Sequence, residues 1–201
     1  MTELARGGTH TFNRVKHDDT QTRRRVWLRW TVIMRNVISI RVQNVPGVLS
    51  HVAGLLASRG YNVDSLTVGA TDDPRFSRMT IVLECDPKMM TQVERQLTKL
   101  VTVVETKNLA ESEHVERDLA LIRVAVSPQE RSSVLELVEI FRASVIDVGQ
   151  RSLLVEISGR GSKLDAFIKA LAPHRIVSVT RSGCIAAPRG DAELDRQDDL
   201  Q

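Results

Sequence analysis

A chain of 201 residues with 42% hydrophobic and 26% charged content carries enough apolar material for one ordinary domain or two small ones, so disorder of the whole chain is excluded. Its two cysteines, Cys85 and Cys184, stand far apart and in no CxxC pair, which argues against a disulfide framework or a zinc site and fits a reducing cytoplasm. The net charge of +3 is local: residues 1–33 hold seven Lys or Arg against three acids, leaving the remainder near −1, so a nucleic-acid-binding face on the folded part has little support.

The leader, residues 1–33, contains RRRVWLRW, whose apolar residues are interrupted by arginine and fall short of the roughly 20 needed to cross a bilayer. It has neither a continuous signal-peptide core nor a small-residue cleavage site. It reads as a disordered extension or as sequence upstream of a natural start at Met34. Its arginines also suit an organelle transit peptide, against which Glu3, Asp18 and Asp19 count.

From Asn36 onward the apolar-rich segment Val37 to Val42 predicts a strand, closed by Asn44. Pro46 then fixes φ, and Gly47 lets the backbone turn sharply and leaves amide groups uncovered where a helix begins. A helix start with bare amides attracts a carboxylate. The helix is expected over Val48 to Arg59 with Leu49, Val52, Ala53 and Leu56 as its buried stripe, stopped by Gly60 as a left-handed cap. Tyr61 to Ala70 follows as a strand. The loop TDDPRFS, with Asp73 before Pro74, turns the chain into an antiparallel strand over Arg78 to Glu84. Pro87 marks a second helix with Met90, Val93, Leu97 and Leu100 on one face, and Val101 to Thr106 is the fourth strand.

The second half repeats this order. It predicts a strand over Leu119 to Val126, a helix over Pro128 to Arg142, strands at Val145 to Val148 and Ser152 to Ile157, a helix over Ser162 to Ala170, and a strand over Arg175 to Thr180. The helical stripes are Val134, Leu135, Val138 and Phe141, then Leu164, Phe167, Ile168 and Leu171. Both halves are therefore βαββαβ, an α+β chain of two tandem ferredoxin-like domains with helices on one face of each sheet. The expected domains are residues 34–107 and 119–187, joined by a polar linker at 108–118 and followed by a mobile tail at 188–201. Strands such as MTIVLE are apolar on both faces, and a partner chain is the economical cover for the face without helices.

Asn44, the turn amides at Gly47 and Asn62 at the start of the next strand together offer recognition of a small zwitterion. Amides would take its carboxylate, asparagine oxygens its ammonium, and aliphatic walls its side chain. Asn62 would serve a neighbouring chain's turn if first domains pair through their sheet edges. The stretch GRGS, Gly159 to Ser162, lacks the spacing of a Walker loop or dinucleotide fingerprint and reads as a turn with Ser162 as N-cap. His10, His17, His51, His114 and His174 show no metal-ligand spacing. Asp64, Asp72, Asp73, Glu84, Asp147 and Glu156 form no acid and base pair, and Ser50, Ser65 and Ser77 have no glycine-elbow context. The 3% aromatic content and the absence of aromatics from NVISIRV argue against an RNA-recognition sheet.

On the runs MRNVISIRVQNVPGVLSHVAGLLASRGYNVDSLTVG, TDDPRFSRMTIVL, HVERDLALIRV, FRASVIDVG, GSKLDAFIKAL and RSGCIAAPRG, the chain from Met34 to about Gly190 resembles the regulatory, or small, subunit of acetolactate synthase, also called acetohydroxyacid synthase. The resemblance implies that the first half is an ACT domain and that two chains pair to bind a branched-chain amino acid, typically valine. Asn44, Gly47, Val48 and Leu49 would come from one protomer, and Asn62 and Val63 from the other. It implies a non-catalytic subunit with no cofactor of its own. A separate catalytic subunit would carry thiamine diphosphate, magnesium and FAD, and would be activated by this chain and made sensitive to feedback inhibition. Pro46 departs from the family's usual turn and bears on its rigidity. A stand-alone ACT sensor or co-regulator explains the first half equally well but not the second. An enzyme in its own right lacks a catalytic group.

Overall fold

The computed structural model describes residues 34–190. The expectations for the leader and for the tail beyond Gly190 lie outside the described residues. The first half is built from β1 (Met34–Gln43), α1 (Val48–Ser58), β2 (Val63–Ala70), β3 (Phe76–Cys85), α2 (Pro87–Leu97) and β4 (Val103–Asn108). Its four strands form an antiparallel sheet in the order β2-β3-β1-β4. A short 3-10 turn, Leu109–Glu111, leads to β5 (His114–Ala125), α3 (Arg131–Ile140), β6 (Ser144–Val148), β7 (Ser152–Gly159), α4 (Gly161–Ala170), β8 (Arg175–Arg181) and β9 (Ile185–Pro188). Here the order is β6-β7-β5-β8, with β9 also paired to β5. The architecture is α+β, two ferredoxin-like units in tandem, as the repeated hydrophobic pattern requires.

Each half buries its own core between helices and sheet. In the first, Ile38, Ile40, Val42, Met79, Ile81 and Leu83 alternate along β1 and β3 and meet Val52, Leu56, Met90, Val93 and Leu97. In the second, Ile122, Val124, Val155 and Ile157 meet Val134, Leu164, Phe167 and Leu171. The helix ends follow local chemistry. Asp86 caps α2 by accepting from the Met89 amide at 2.7 Å, with Pro87 in the first turn. Gly60, at φ 70°, ends α1: its amide reaches the Ala57 carbonyl and that of Tyr61 reaches Leu56, the paired bonds of a left-handed helix stop.

Three details differ from the sequence reading. The α1 stripe is Val48, Val52 and Leu56, while Leu49 and Ala53 face outward, because the helix begins at Val48 and turns that side chain into the core. Leu135 is likewise outside the α3 stripe, which is Val134 and Val138. Ser162 does not cap α4: the helix starts at Gly161 with Arg160 at the cap position and no side-chain cap bond.

The larger difference is at the join. His114 to Arg117, within the stretch read as linker, form the start of β5 and pair with β9, a strand too short and small-residued for periodicity to reveal. This ribbon lies against the helix-free face of the first sheet. Leu109, Cys184 and Ala186 there bury Val37 and Val82 in a third apolar cluster. Part of the cover that the apolar strands demand is thus supplied by the chain itself.

Candidate functional site

The turn between β1 and α1 is held from behind. The Asn44 amide donates to the Arg75 carbonyl at 2.7 Å and its side-chain Nδ2 donates to the Pro74 carbonyl at 3.1 Å, so the β2–β3 loop fixes the carboxamide and leaves Oδ1 to accept. That loop is itself braced by Asp73, which accepts from the Arg75 amide and guanidinium at 2.6–3.0 Å. These side-chain and backbone hydrogen bonds from Arg75 bring the Asp73 carboxyl down to about 2.

Gly47 adopts φ 84°, ψ −10° and supplies no side chain to the helix start. The first intrahelical bond shown is from His51 to the Gly47 carbonyl at 3.0 Å, so the amides of Val48 and Leu49 precede helical pairing. With the dipole of α1 behind them they favour an anion. Val45 and Leu49, 47% and 45% exposed, stand beside these amides as apolar walls with little to cover them.

Asn62 and Val63 lie elsewhere. Gln43, just before Asn44, pairs with Phe76 at one end of β3, whereas Val63 pairs with Leu83 near the other end. Seven residues of strand separate these levels, about 23 Å at 3.3 Å per residue. One chain therefore brings Asn44, Gly47, Val48 and Leu49 together at one end of the sheet and holds Asn62 and Val63 at the opposite end.

A cleft of about 1090 Å³ opens at the join of the two halves, lined among others by Arg35, Asp64, Glu116, Asp118, Arg181 and Cys184. Its charges are largely matched. Arg35 meets Glu116 at 2.7 Å, and Arg181 meets Asp165 at 2.5 Å and Asp118 at 4.0 Å. It is a polar seam rather than a ready anion site. Burial works against ionisation of Glu116, but His114 and Arg35 together outweigh it and lower its pKa. Burial likewise opposes the His114 cation, and the Ser112 carbonyl with the Glu116 carboxylate outweighs it and raises its pKa.

The contribution of Glu116 is thus present above its ordinary range and lost as pH falls through its lowered pKa. That of His114 is present below its ordinary value of about 6.5 and lost as pH rises through its raised pKa. An NMR titration should place the His114 midpoint above 6.5, and Glu116→Gln should lower it because the carboxylate no longer favours the cation. An unmoved midpoint would contradict the assigned pairing.

Burial pushes the thiols of Cys85 and Cys184 up, away from the thiolate a nucleophile needs. Among the described residues no group of three or more His, Cys, Asp or Glu could hold a metal ion. No helix among them is long and apolar enough to cross a membrane.

The fold is two tandem ferredoxin-like units, with an uncapped glycine turn opening the first helix. Residues 38–105 match the model of the acetohydroxyacid synthase small subunit-like ACT domain, and residues 117–190 that of the small subunit of acetolactate synthase. The chain is 43% identical over 159 residues to the acetolactate synthase isozyme 3 small subunit of Escherichia coli, covering 79% of this chain and 98% of that one. It is 41% identical over 162 residues to the acetolactate synthase small subunit of Haemophilus influenzae, covering 80% and 99%. The crystal structure of the small subunit from Thermotoga maritima superposes with a TM-score of 0.73 at 39% identity, over 79% of this chain and 99% of that one. The chain belongs to the acetolactate synthase small-subunit family.

The sequence reading missed the ribbon at the seam and the residues that dock it. The available signal was the glycine of RSGC together with apolar residues Val37 and Val82 on the face its own helices do not cover.

Proposed function

We propose that this chain is a cytoplasmic regulatory subunit that activates the catalytic subunit of acetolactate synthase and confers feedback inhibition by valine in branched-chain amino acid biosynthesis. The observation that carries the reading is the uncapped start of α1: Gly47 in a left-handed turn, free amides at Val48 and Leu49, and the Asn44 carboxamide locked beside them. The amides suit the carboxylate of an amino acid, Asn44 Oδ1 its ammonium, and Val45 and Leu49 its aliphatic side chain.

Asn62 and Val63 complete this site from a second copy. β2 is an edge strand with unpaired backbone groups. Two such edges pairing antiparallel across a two-fold axis bring the Asn62 end of one beside the Ala70 end of the other. That is the end at which Asn44 lies. A homodimer thus turns two separated half-sites into two whole ones.

A ligand in this seam inhibits only if it binds more tightly to the dimer arrangement that supports catalysis poorly. A tenfold preference supplies about 1.4 kcal/mol, enough when two arrangements are closely balanced. Thiamine diphosphate, magnesium and FAD belong to the catalytic subunit, and this chain carries no cofactor.

Calorimetric titration with L-valine, L-leucine and L-isoleucine, followed by assay of the reconstituted holoenzyme with each, tests the proposal. Binding of at least one, with activation and inhibition of the reconstituted synthase, is expected. A strictly monomeric protein that gives no binding with any of them would overturn it.

A further inference from the structure

Beyond β8 the chain makes a sharp loop that docks onto β2. Ser182 ties its base to β5: its amide donates to the Leu119 carbonyl at 2.9 Å and its hydroxyl accepts from the Leu119 amide at 3.1 Å. Gly183 follows at φ 85°, a conformation L side chains rarely adopt. Next, the Cys184 amide donates to Ser65 Oγ at 3.0 Å, and Thr67 Oγ1 donates to the Cys184 carbonyl at 2.8 Å.

Ser65 and Thr67 are alternate residues on one face of β2, so the two hydroxyls satisfy both main-chain polar groups of Cys184. A Cβ on Gly183 would lie 2.8 Å from Ser65 Oγ and 2.9 Å from Thr67 Oγ1. Glycine is therefore demanded twice, by the backbone and by the fit. The Cys184 side chain continues into the apolar cluster with Val37, Val82, Leu109 and Ala186.

The other seam contacts engage the interior strands: Arg35 and Val37 on β1, and Val82 on β3. Among the described hydrogen bonds, only those at Ser65 and Thr67 join β2 to the second half. β2 is also the strand that begins with Val63, and its register against β3 breaks between Val63 and Ser65. Such an irregularity bends the strand and re-aims the side chains on either side of it. The proposed ligand contacts lie on one side of this joint and the docked loop on the other, only two residues away.

We propose that the Gly183–Cys184 loop is the coupling element through which β2 reports ligand occupancy at Asn62 and Val63 to the second half of the chain. This rests on the amino-acid site proposed above. Occupancy biases the placement of β2, and the loop, seated on Ser65 and Thr67, carries that placement through Ser182 into β5 and β8. Coupling of this kind sets how far saturating ligand can inhibit, whereas affinity sets only how much ligand is needed.

The experiment uses the full-length chain with two variants, Gly183→Ala and the pair Ser65→Ala with Thr67→Val. The second removes both hydroxyls without adding bulk at the loop. Each is titrated with L-valine, L-leucine and L-isoleucine by calorimetry and then assayed with the catalytic subunit.

The expected result is retained binding and retained activation, with the ratio of uninhibited to fully inhibited rate falling toward one at saturating ligand. Retained binding with an unchanged ratio in both variants overturns the coupling role and leaves the ligand site standing. Failure of the unaltered protein to bind any of the three overturns the site itself. If Gly183→Ala does not fold, the hydroxyl pair decides alone. Joint loss of binding and activation in that pair makes the loop a structural brace and overturns the inference.

Discussion

Replacing Gly47 by aspartate is expected to abolish inhibition by valine while leaving activation of the catalytic subunit largely intact. The left-handed φ of 84° strains any side chain placed there, and aspartate tolerates it better than most. Its carboxylate would then stand at the bare amides of Val48 and Leu49, occupying them from within and repelling the carboxylate of the ligand.

Asn44→Ala acts differently. It removes the hydrogen bond proposed to the ligand ammonium, and the tie to the Pro74 carbonyl. A hydrogen bond to a charged group is worth about 1.5–3 kcal/mol, so affinity should fall ~10- to 150-fold. Asn62→Ala should have a similar effect from the other half-site. Because Asn44 and Asn62 lie at opposite ends of one chain's sheet, an equal mixture of Asn44→Ala and Asn62→Ala subunits offers a decisive assay. Mixed dimers that form by exchange contain one intact site and one doubly damaged site, and should recover partial valine sensitivity that neither variant shows alone. No recovery after demonstrated exchange would sink the shared-site geometry, and wild-type sensitivity in the single variants would sink the site.

The cores and the seam differ in how far the sequence reveals them, for a physical reason. α2 and α4 bury one face, so their periodicity of about 3.6 is written locally, while β1 and β3 are buried on both faces and read as apolar runs. Met90, Val93 and Leu97, or Leu164, Phe167 and Leu171, are readable at once. The seam is formed by residues more than a hundred positions apart, such as Val37 with Cys184 and Thr67 with the Cys184 carbonyl. HVER looks like a charged linker because Glu116 finds its partners in Arg35 and His114. IAAP has four small or modest residues and no alternation to distinguish it.

The candidate site was legible in part. Asn, Pro and Gly at a strand-to-helix junction announce an open turn, but only the fold shows that the Asn44 carboxamide is fixed by Pro74 and that Leu49 faces outward. The sequence also could not reveal that Asn62 sits at the far end of the same sheet. That separation depends on β3 running antiparallel between β1 and β2 over its full length.

Phe167→Ala should destabilise the protein by about 3–5 kcal/mol, a large share of the ~5–15 kcal/mol that holds a typical domain. The Phe167 side chain is fully buried at the centre of the second core, with its ring centroid 5.2 Å from that of Phe141. Truncation removes the transfer energy of a phenyl ring, the tilted ring contact and the packing of Leu164 and Leu171 around it. The first core shares no residue with this cluster, and the seam joining them is smaller than either.

The loss should therefore fall on the second half. In urea the variant should show an early far-UV transition for that half and a later one near the wild-type midpoint for the first. At urea concentrations between the two, valine binding should persist while activation of the catalytic subunit disappears. A single shifted transition that carries binding and activation away together would show that the seam couples the halves into one folding unit. A drop of less than ~1 kcal/mol would mean that the second core collapses around the cavity far more readily than its packing implies.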